Sequence, residues 1–293
     1  MVTDIYSPTQ QLKHPARINI WVKRDDLIDP YISGNKWRKL KYILEEAKKL
    51  DKDHLVTFGG AYSNHLVATA AACAKNGLKS TAFVRGEAVE NEMLLLCRLF
   101  GMRLIFTSRE DYKEKKSLFN KLFAEDAHAI FVDEGGAGIH AVQGCAEIIA
   151  ELPADIDHLF CAAGTGTTAA GLLKGILESG SKTVLHVVPV LKGGDFIADE
   201  MMKYTGSSDQ LVLHTDYHFG GYAKTQPELI SFIKCFVAEE GILIDPVYTA
   251  KMFFAIDDLL MKQYFKTTDK IAAVHTGGLL GILGMKEKFR QDG

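Results

Sequence analysis

The chain has 293 residues, 47% of them apolar and 24% charged, and a formal net charge of −3. That is enough chain for one large α/β domain or two packed ones. No basic excess points to nucleic acid, and no apolar stretch is long enough to span a bilayer. In chain order, the polar start MVTDIYSPTQQLKHP lacks an apolar core of signal-peptide length, and Ile18 to Val22 reads as a strand. A helix is predicted over Asn35–Leu50, where Trp37, Leu40, Ile43, Leu44, Ala47 and Leu50 recur at helical spacing. Next come a strand at His54–Phe58, an Ala-rich helix at Asn64–Lys75, a strand at Thr81–Val84 and a helix at Asn91–Phe100. A strand at Leu104–Phe106, a helix at Tyr112–Phe123, a strand at Ile130–Val132 and a helix at His140–Glu151 follow.

The alternation then resumes. Strand His158–Ala162, helix Thr167–Glu178 and strand Thr183–Val188 are succeeded by a helix at Phe196–Tyr204 and a short strand at Leu211–His214. Helices at Gln226–Glu240 and Tyr248–Tyr264, a strand at Ile271–Val274 and a closing helix at Leu279–Phe289 complete the chain. Strands that alternate with helices imply parallel sheets covered on both faces. The fold class expected is α/β with two domains, each a mostly parallel sheet with helices on both faces. Residues 39–141 form the small domain, and 1–38 with 142–293 the larger one. Active sites of such sheets lie beyond the carboxyl ends of the strands, so the glycine-rich and polar turns carry the functional interest.

Five cysteines, Cys73, Cys97, Cys145, Cys161 and Cys235, are widely spaced with no CxxC pair. They read as free thiols of a cytoplasmic protein rather than a disulfide or zinc framework. The ten histidines show no ligand spacing, so no metal site is expected.

Five turns stand out. In Ser33-Gly34-Asn35-Lys36-Trp37-Arg38-Lys39-Leu40, Lys36 falls in the first helical turn. The partial positive charge there lowers an amine pKa, as a Schiff-base lysine requires. The same residues also fit a solvated basic face with Lys36, Arg38, Lys39 and Lys41 exposed. In Ala163-Gly164-Thr165-Gly166-Thr167-Thr168, a strand gives way to a helix. Amides in such a turn converge on an anion. Without a following Gly-Lys-Ser/Thr, a third glycine or a ribose-binding acid, the segment fits a single phosphate better than a nucleotide. An ordinary tight turn is the alternative.

Gly59-Gly60-Ala61-Tyr62-Ser63-Asn64-His65 also opens a helix. Ser63 and Asn64 serve there as N-caps or, with the free amides, as a carboxylate site. His65 reads as packing rather than as a base. Ile244-Asp245-Pro246-Val247-Tyr248-Thr249 is a turn into a helix, and His275-Thr276-Gly277-Gly278 closes a strand.

Taken together and in order, SGNKWRKL, GGAYSNH, AAGTGTT, IDPVYT and HTGG resemble the 1-aminocyclopropane-1-carboxylate deaminase and D-cysteine desulfhydrase family. That family belongs to the tryptophan synthase β-subunit-like (fold type II) pyridoxal phosphate enzymes. The resemblance runs from about Val22 to about Gly284. It implies pyridoxal 5'-phosphate as cofactor, lodged between the two domains, with the larger domain as its main holder. Lys36 then carries the cofactor covalently and shuttles the Cα proton, and Lys39 reaches toward the phosphate. Gly164, Thr165, Gly166, Thr167 and Thr168 cradle that phosphate, Asn64 meets the ring oxygen, and Ser63 holds the substrate carboxylate. Tyr222 and Tyr248 match the two active-site tyrosines. Thr249 occupies the position facing the pyridine nitrogen. Ser63, Asn64, His65 and Thr276 are the substrate-binding candidates.

Two positions separate the branches of the family. Deaminases of the cyclopropane substrate resemble DPVYEG, with a glutamate where this chain has Thr249, and carry leucine where it has Thr276. Both threonines match the desulfhydrase branch. A carboxylate at the pyridine nitrogen strengthens the electron sink, which opening a cyclopropane without an α-hydrogen demands. Expelling a thiolate after loss of an α-proton demands less. The expected activity is therefore α,β-elimination of a small D-amino acid, D-cysteine first, by a cytoplasmic homodimer. The rivals are deamination of 1-aminocyclopropane-1-carboxylate, a non-catalytic pyridoxal phosphate carrier and a nucleotide-binding module. The chain looks shorter than typical members before Val22 and in its surface loops.

Overall fold

A computed structural model describes residues 5–290. Its strands are β1 (Thr9–Gln11), β2 (Ile20–Lys23), β3 (His54–Gly60), β4 (Lys79–Arg85), β5 (Arg103–Thr107), β6 (Ala129–Phe131), β7 (His158–Ala163), β8 (Val184–Pro189), β9 (Leu211–Leu213) and β10 (Ile271–Val274). Its α-helices are α1 (Asn35–Lys49), α2 (Asn64–Lys75), α3 (Glu92–Leu99), α4 (Lys115–Phe123), α5 (Ile139–Ala150), α6 (Thr167–Ser179), α7 (Phe196–Thr205), α8 (Pro227–Glu240), α9 (Thr249–Met261) and α10 (Lys286–Arg290).

Two sheets organise the molecule. One has the order β5-β4-β3-β6 and is parallel throughout. The other has the order β1-β2-β10-β7-β8-β9 and is parallel except for the hairpin-like pair β1/β2. All four strands of the smaller sheet fall within 39–141, and all six of the larger fall outside it. Residues 1–4 and 291–293 of the expected larger domain lie outside the described residues. In β3, five consecutive residues from Leu55 to Gly59 are buried, as in a parallel strand covered on both faces. Phe160, Phe236 and Phe253 fill one face of the larger sheet, and Leu159, Leu172 and Ile176 the other.

Three segments differ from the sequence expectation. β1 was not foreseen: three polar residues, TQQ, pair through their backbone with β2 at the sheet edge. Tyr112–Phe123 divides into a 3-10 turn, Asp111–Glu114, and α4. The expected closing helix Leu279–Phe289 is a 3-10 stretch, Leu279–Met285, followed by α10, because Gly281 and Gly284 weaken helical propensity across that run.

Helices α1, α5 and α6 meet backbone to backbone. A Cβ on Gly144 of α5 would lie 2.0 Å from the Arg38 carbonyl of α1, and one on Gly171 of α6 would lie 2.5 Å from Cys145 Cβ. Only glycine permits either approach. This close stack sets the N-terminus of α1 beside that of α6, which places the lysine turn against the glycine-threonine turn.

Candidate active site

The lysine turn is built rigidly. Gly34 precedes α1 at φ +64°, and a Cβ there would sit 1.8 Å from the Thr276 carbonyl oxygen. Gly34 donates its amide to Asp25 O (2.9 Å), and Asn35 donates to Thr276 O (3.3 Å). The buried Arg38 guanidinium donates to Asp25 (2.9 and 3.1 Å) and to Glu151 Oε2 (2.7 Å); Lys23 also reaches Glu151 (2.8 Å). Removing one member of such a buried charge pair costs about 3–5 kcal/mol, so α1 begins from a fixed point. An exposed basic face is thereby excluded, since Arg38 and Lys39 are both buried.

Lys36 Nζ donates to Asn35 Oδ1 (3.1 Å), and Asn35 Nδ2 donates to Thr168 Oγ1 (2.9 Å). One asparagine thus links the amine to the glycine-threonine turn. Burial, and then the positive charge of Lys39, push the Lys36 pKa down to about 7. Burial also lowers that of Lys39, whose Nζ donates to Gly135 O at 3.2 Å. Gly166 caps α6 in the left-handed conformation without a side-chain cap, leaving the first amides of α6 without intrahelical partners. Thr165 and Thr167 hydroxyls lie 3.3 Å apart in the same turn.

From the smaller sheet, Ser63 stands at the head of α2, where its hydroxyl makes no capping bond. Asn64 follows it. Asn64 lines a cavity of about 120 Å³ with Lys36, Tyr31, Ser33, Gly278 and Leu280. A larger cavity of about 520 Å³, bounded by Phe106, Asp111, Leu118 and Lys121, contains none of these residues.

The tyrosines close the other side. The Tyr248 ring lies on Gly164, 3.2 Å from where a Cβ would be, and its hydroxyl donates to Tyr222 Oη at 3.4 Å. The rings meet edge to face with centroids 6.0 Å apart. Burial, reinforced by Tyr222, holds the Tyr248 pKa well above its ordinary value, so the phenol stays protonated at neutral pH. The buried Thr249 hydroxyl donates to Asp245 Oδ1 and accepts from the Asp245 amide, both at 2.8 Å. The Asp245 carboxylate also accepts the Val247, Tyr248 and Thr249 amides. Burial raises its pKa against those donors.

Residues 3–277 match the family described as pyridoxal-phosphate dependent enzyme. The chain belongs to that family. A provisionally named 1-aminocyclopropane-1-carboxylate deaminase of Thermotoga maritima is 33% identical to it over 97% of each chain. The Arabidopsis thaliana mitochondrial bifunctional D-cysteine desulfhydrase/1-aminocyclopropane-1-carboxylate deaminase is 29% identical over 92% of this chain and 74% of its own. A crystal structure of an ACC deaminase homologue superposes with a TM-score of 0.85 at 28% identity, covering 99% of this chain and 94% of that one. The 1-aminocyclopropane-1-carboxylate deaminase and D-cysteine desulfhydrase branch of the pyridoxal-phosphate dependent enzymes is therefore where it stands, and pyridoxal phosphate is its cofactor.

The residues suit that cofactor. An amine near neutrality waits for an aldehyde, and a capless helix start with hydroxyls waits for a phosphate. Among the described residues, Lys36 and Lys39 donate to Asn35 Oδ1 and Gly135 O, and no carboxylate is bonded to either amine. Asn35 ties Lys36 to Thr168, Tyr248 lies on Gly164, Lys39 is bonded to Gly135, and Asn64 lines one cavity with Lys36. His65 is withdrawn from that cavity. It is 2% exposed, its Nε2 is bonded to Thr57 Oγ1 (2.7 Å), and its Nδ1 has no partner among the described residues. Burial, then Lys36 and Lys39, keep it far below its ordinary pKa and neutral. Thr276 is buried against Gly34 and meets the lysine turn through its carbonyl.

Sequence reasoning missed Asn35 and Asp245. Asparagine beside a candidate lysine was a usable signal. For Asp245, an aspartate at the start of a turn into a helix is the local signal, because its carboxylate bonds backbone amides just downstream, here those of Val247, Tyr248 and Thr249.

Proposed function

We propose that the enzyme is an α,β-elimination lyase that converts D-cysteine and water to pyruvate, ammonia and hydrogen sulfide. Bound pyridoxal phosphate supplies the electron sink at Cα. Lys36 holds the cofactor and then takes the Cα proton on Nζ, for which a pKa of about 7 suits it. Lys39 and the turn Gly164, Thr165, Gly166, Thr167 and Thr168 anchor the phosphate. Asn64 orients the cofactor ring, while Ser63, Asn64 and Thr276 position the substrate. As the C–S bond breaks, its electron pair leaves with sulfur as hydrosulfide; Tyr248, which stays protonated, donates a hydrogen bond to that sulfur, and the proton taken up by Lys36 completes hydrogen sulfide. Tyr222 orients that phenol. Water then releases pyruvate and ammonia.

The observation that carries this reading is Thr249. Its hydroxyl proton is spent on Asp245, so at a position that would face the pyridine nitrogen the chain offers a hydroxyl lone pair and not a carboxylate. That supports a weaker electron sink, adequate for expelling thiolate from a carbon next to an acidic Cα–H. The division at 39–141, a homodimeric assembly and a cytoplasmic setting belong to the same proposal. No described helix is long and apolar enough to cross a membrane.

A second reading is favoured by the names of the relatives: deamination of 1-aminocyclopropane-1-carboxylate to 2-oxobutyrate and ammonia. Supplying D-cysteine, L-cysteine, D-serine and the cyclopropane amino acid separately, and measuring pyruvate and 2-oxobutyrate, decides between them. D-Cysteine should give the fastest product. Faster 2-oxobutyrate formation would establish the second reading.

A further inference from the structure

Lys251 is a buried cation that takes no part in the constellation described so far. It is the third residue of α9 and is wholly buried. An ammonium in the first turn of a helix faces the positive end of the helix dipole, and a buried charge needs compensation. Among the described residues, no carboxylate bonds it. Nζ donates instead to three backbone carbonyls: Val190 O (3.3 Å), His218 O (2.8 Å) and Gly221 O (2.8 Å). Three N–H groups meet three acceptors, so the ammonium is fully used. Burial lowers its pKa to about 8, which leaves it mostly charged at neutral pH; the Asp245 carboxylate opposes that fall through space.

Two of the three carbonyls belong to one strained loop. Phe219, Gly220, Gly221 and Ala223 all have positive φ, at 52°, 92°, 118° and 55°. Phe219 and Ala223 carry a Cβ, for which that conformation is unfavourable. The loop's internal bonds are few: Gly221 N–H to His218 O (3.0 Å), Lys224 N–H to Gly221 O (3.1 Å) and Gly220 N–H to His218 Nδ1 (2.9 Å). Oxygens of like polarity that point at one spot repel each other unless a cation sits there. The loop carries Tyr222, whose hydroxyl meets that of Tyr248.

We propose that the Lys251 ammonium is a built-in monovalent cation in a cage of backbone carbonyls, and that it positions the loop that holds Tyr222 against Tyr248. Lys251 touches no substrate in this scheme. Its effect on turnover rests on the elimination reading above, whereas its effect on the loop does not. Potassium and ammonium ions are of similar size to a lysine ammonium and are held by backbone carbonyls in the same way.

The test uses the cofactor-loaded protein and its Lys251→Ala and Lys251→Met variants. Each is melted without substrate in tetramethylammonium, potassium or ammonium chloride at equal ionic strength. The parent should melt at one temperature in all three salts. Lys251→Ala should melt lower in tetramethylammonium and regain most of the loss in potassium or ammonium, with its KM for D-cysteine falling in parallel. Lys251→Met fills the space without a charge and should stay low in every salt. If Lys251→Ala does not fold, its refolding yield in potassium against tetramethylammonium gives the same readout. The cage is overturned if Lys251→Ala matches the parent in tetramethylammonium, if no small cation restores it, or if Lys251→Met is restored as well. A cation-dependent melt with no pyruvate formed from D-cysteine sinks the substrate assignment and leaves the cage standing.

Discussion

Capture of an aldehyde by Lys36 should follow a titration near neutrality. Only the neutral amine attacks, and burial together with Lys39 brings its pKa from 10.5 to about 7. At pH 7 about half of Lys36 is then neutral, against roughly one part in three thousand of an unperturbed lysine. The neutral fraction is about a tenth at pH 6 and about nine-tenths at pH 8, so the capture rate should rise roughly tenfold between them and then flatten. The assay strips the cofactor, adds pyridoxal, and follows the visible absorption band by stopped flow across the pH range. Pyridoxal lacks the phosphate, so phosphate ionisation does not enter the curve. Lys39→Met removes the second cause of the shift. The desolvation remains, but the midpoint should move upward because one repelling cation is gone. A rate that keeps climbing about tenfold per pH unit beyond pH 8 in the parent would refute the placement of Lys36 in a desolvating, cationic pocket.

Other outcomes follow from named contacts. Lys36→Ala should leave no peptide bearing cofactor after borohydride reduction, by mass spectrometry, and should lower turnover by roughly 10²–10⁴-fold through loss of the base alone. Gly34→Ala forces a Cβ into the Thr276 carbonyl at a positive φ; denaturant titration should show a loss of at least about 2 kcal/mol or no soluble protein. Exchanging Thr249 for Glu and Thr276 for Leu together should raise 2-oxobutyrate formation from the cyclopropane substrate. Thr249→Glu alone should lower the melting temperature, since it removes two hydrogen bonds to Asp245 and sets a carboxylate beside a buried one.

The sheets were legible in the sequence because parallel strands buried on both faces are short apolar runs, and the helices between them keep strict periodicity. α2 and β10 fall on their expected bounds. β1 escaped because its residues, TQQ, carry no apolar pattern and pair only through their backbone. The closing segment misled because its apolar residues suit a helix while its glycines do not. Within the site, the turns were legible as glycines and hydroxyls at strand ends. The burial of Arg38 and Lys39 was not, because it depends on Asp25, Glu151 and Gly135, which come from other elements. The commitment of Thr249 to Asp245 and the seclusion of His65 behind Thr57 are likewise tertiary.

The charges of the site explain why one cofactor serves it. Lys36 and Lys39 each lower the stability of a charged neighbour, and burial penalises both. Among the described residues, the buried Asp245 carboxylate is occupied by the Thr249 hydroxyl and three amides and offers Lys36 only a through-space attraction, and the buried Asp26 carboxylate, which lines the cavity with Lys36, is bonded by Arg24. A site so arranged is short of negative charge, and the amides at the head of α6 add to the deficit. A phosphate supplies what is missing at Lys39 and α6, while an aldehyde consumes the amine that burial has already made reactive. A neutral amino acid or a simple carboxylate satisfies one demand and not the other. The polypeptide thus suits a phosphorylated aldehyde by burying two lysines that no carboxylate among the described residues bonds, one of them already close to neutrality.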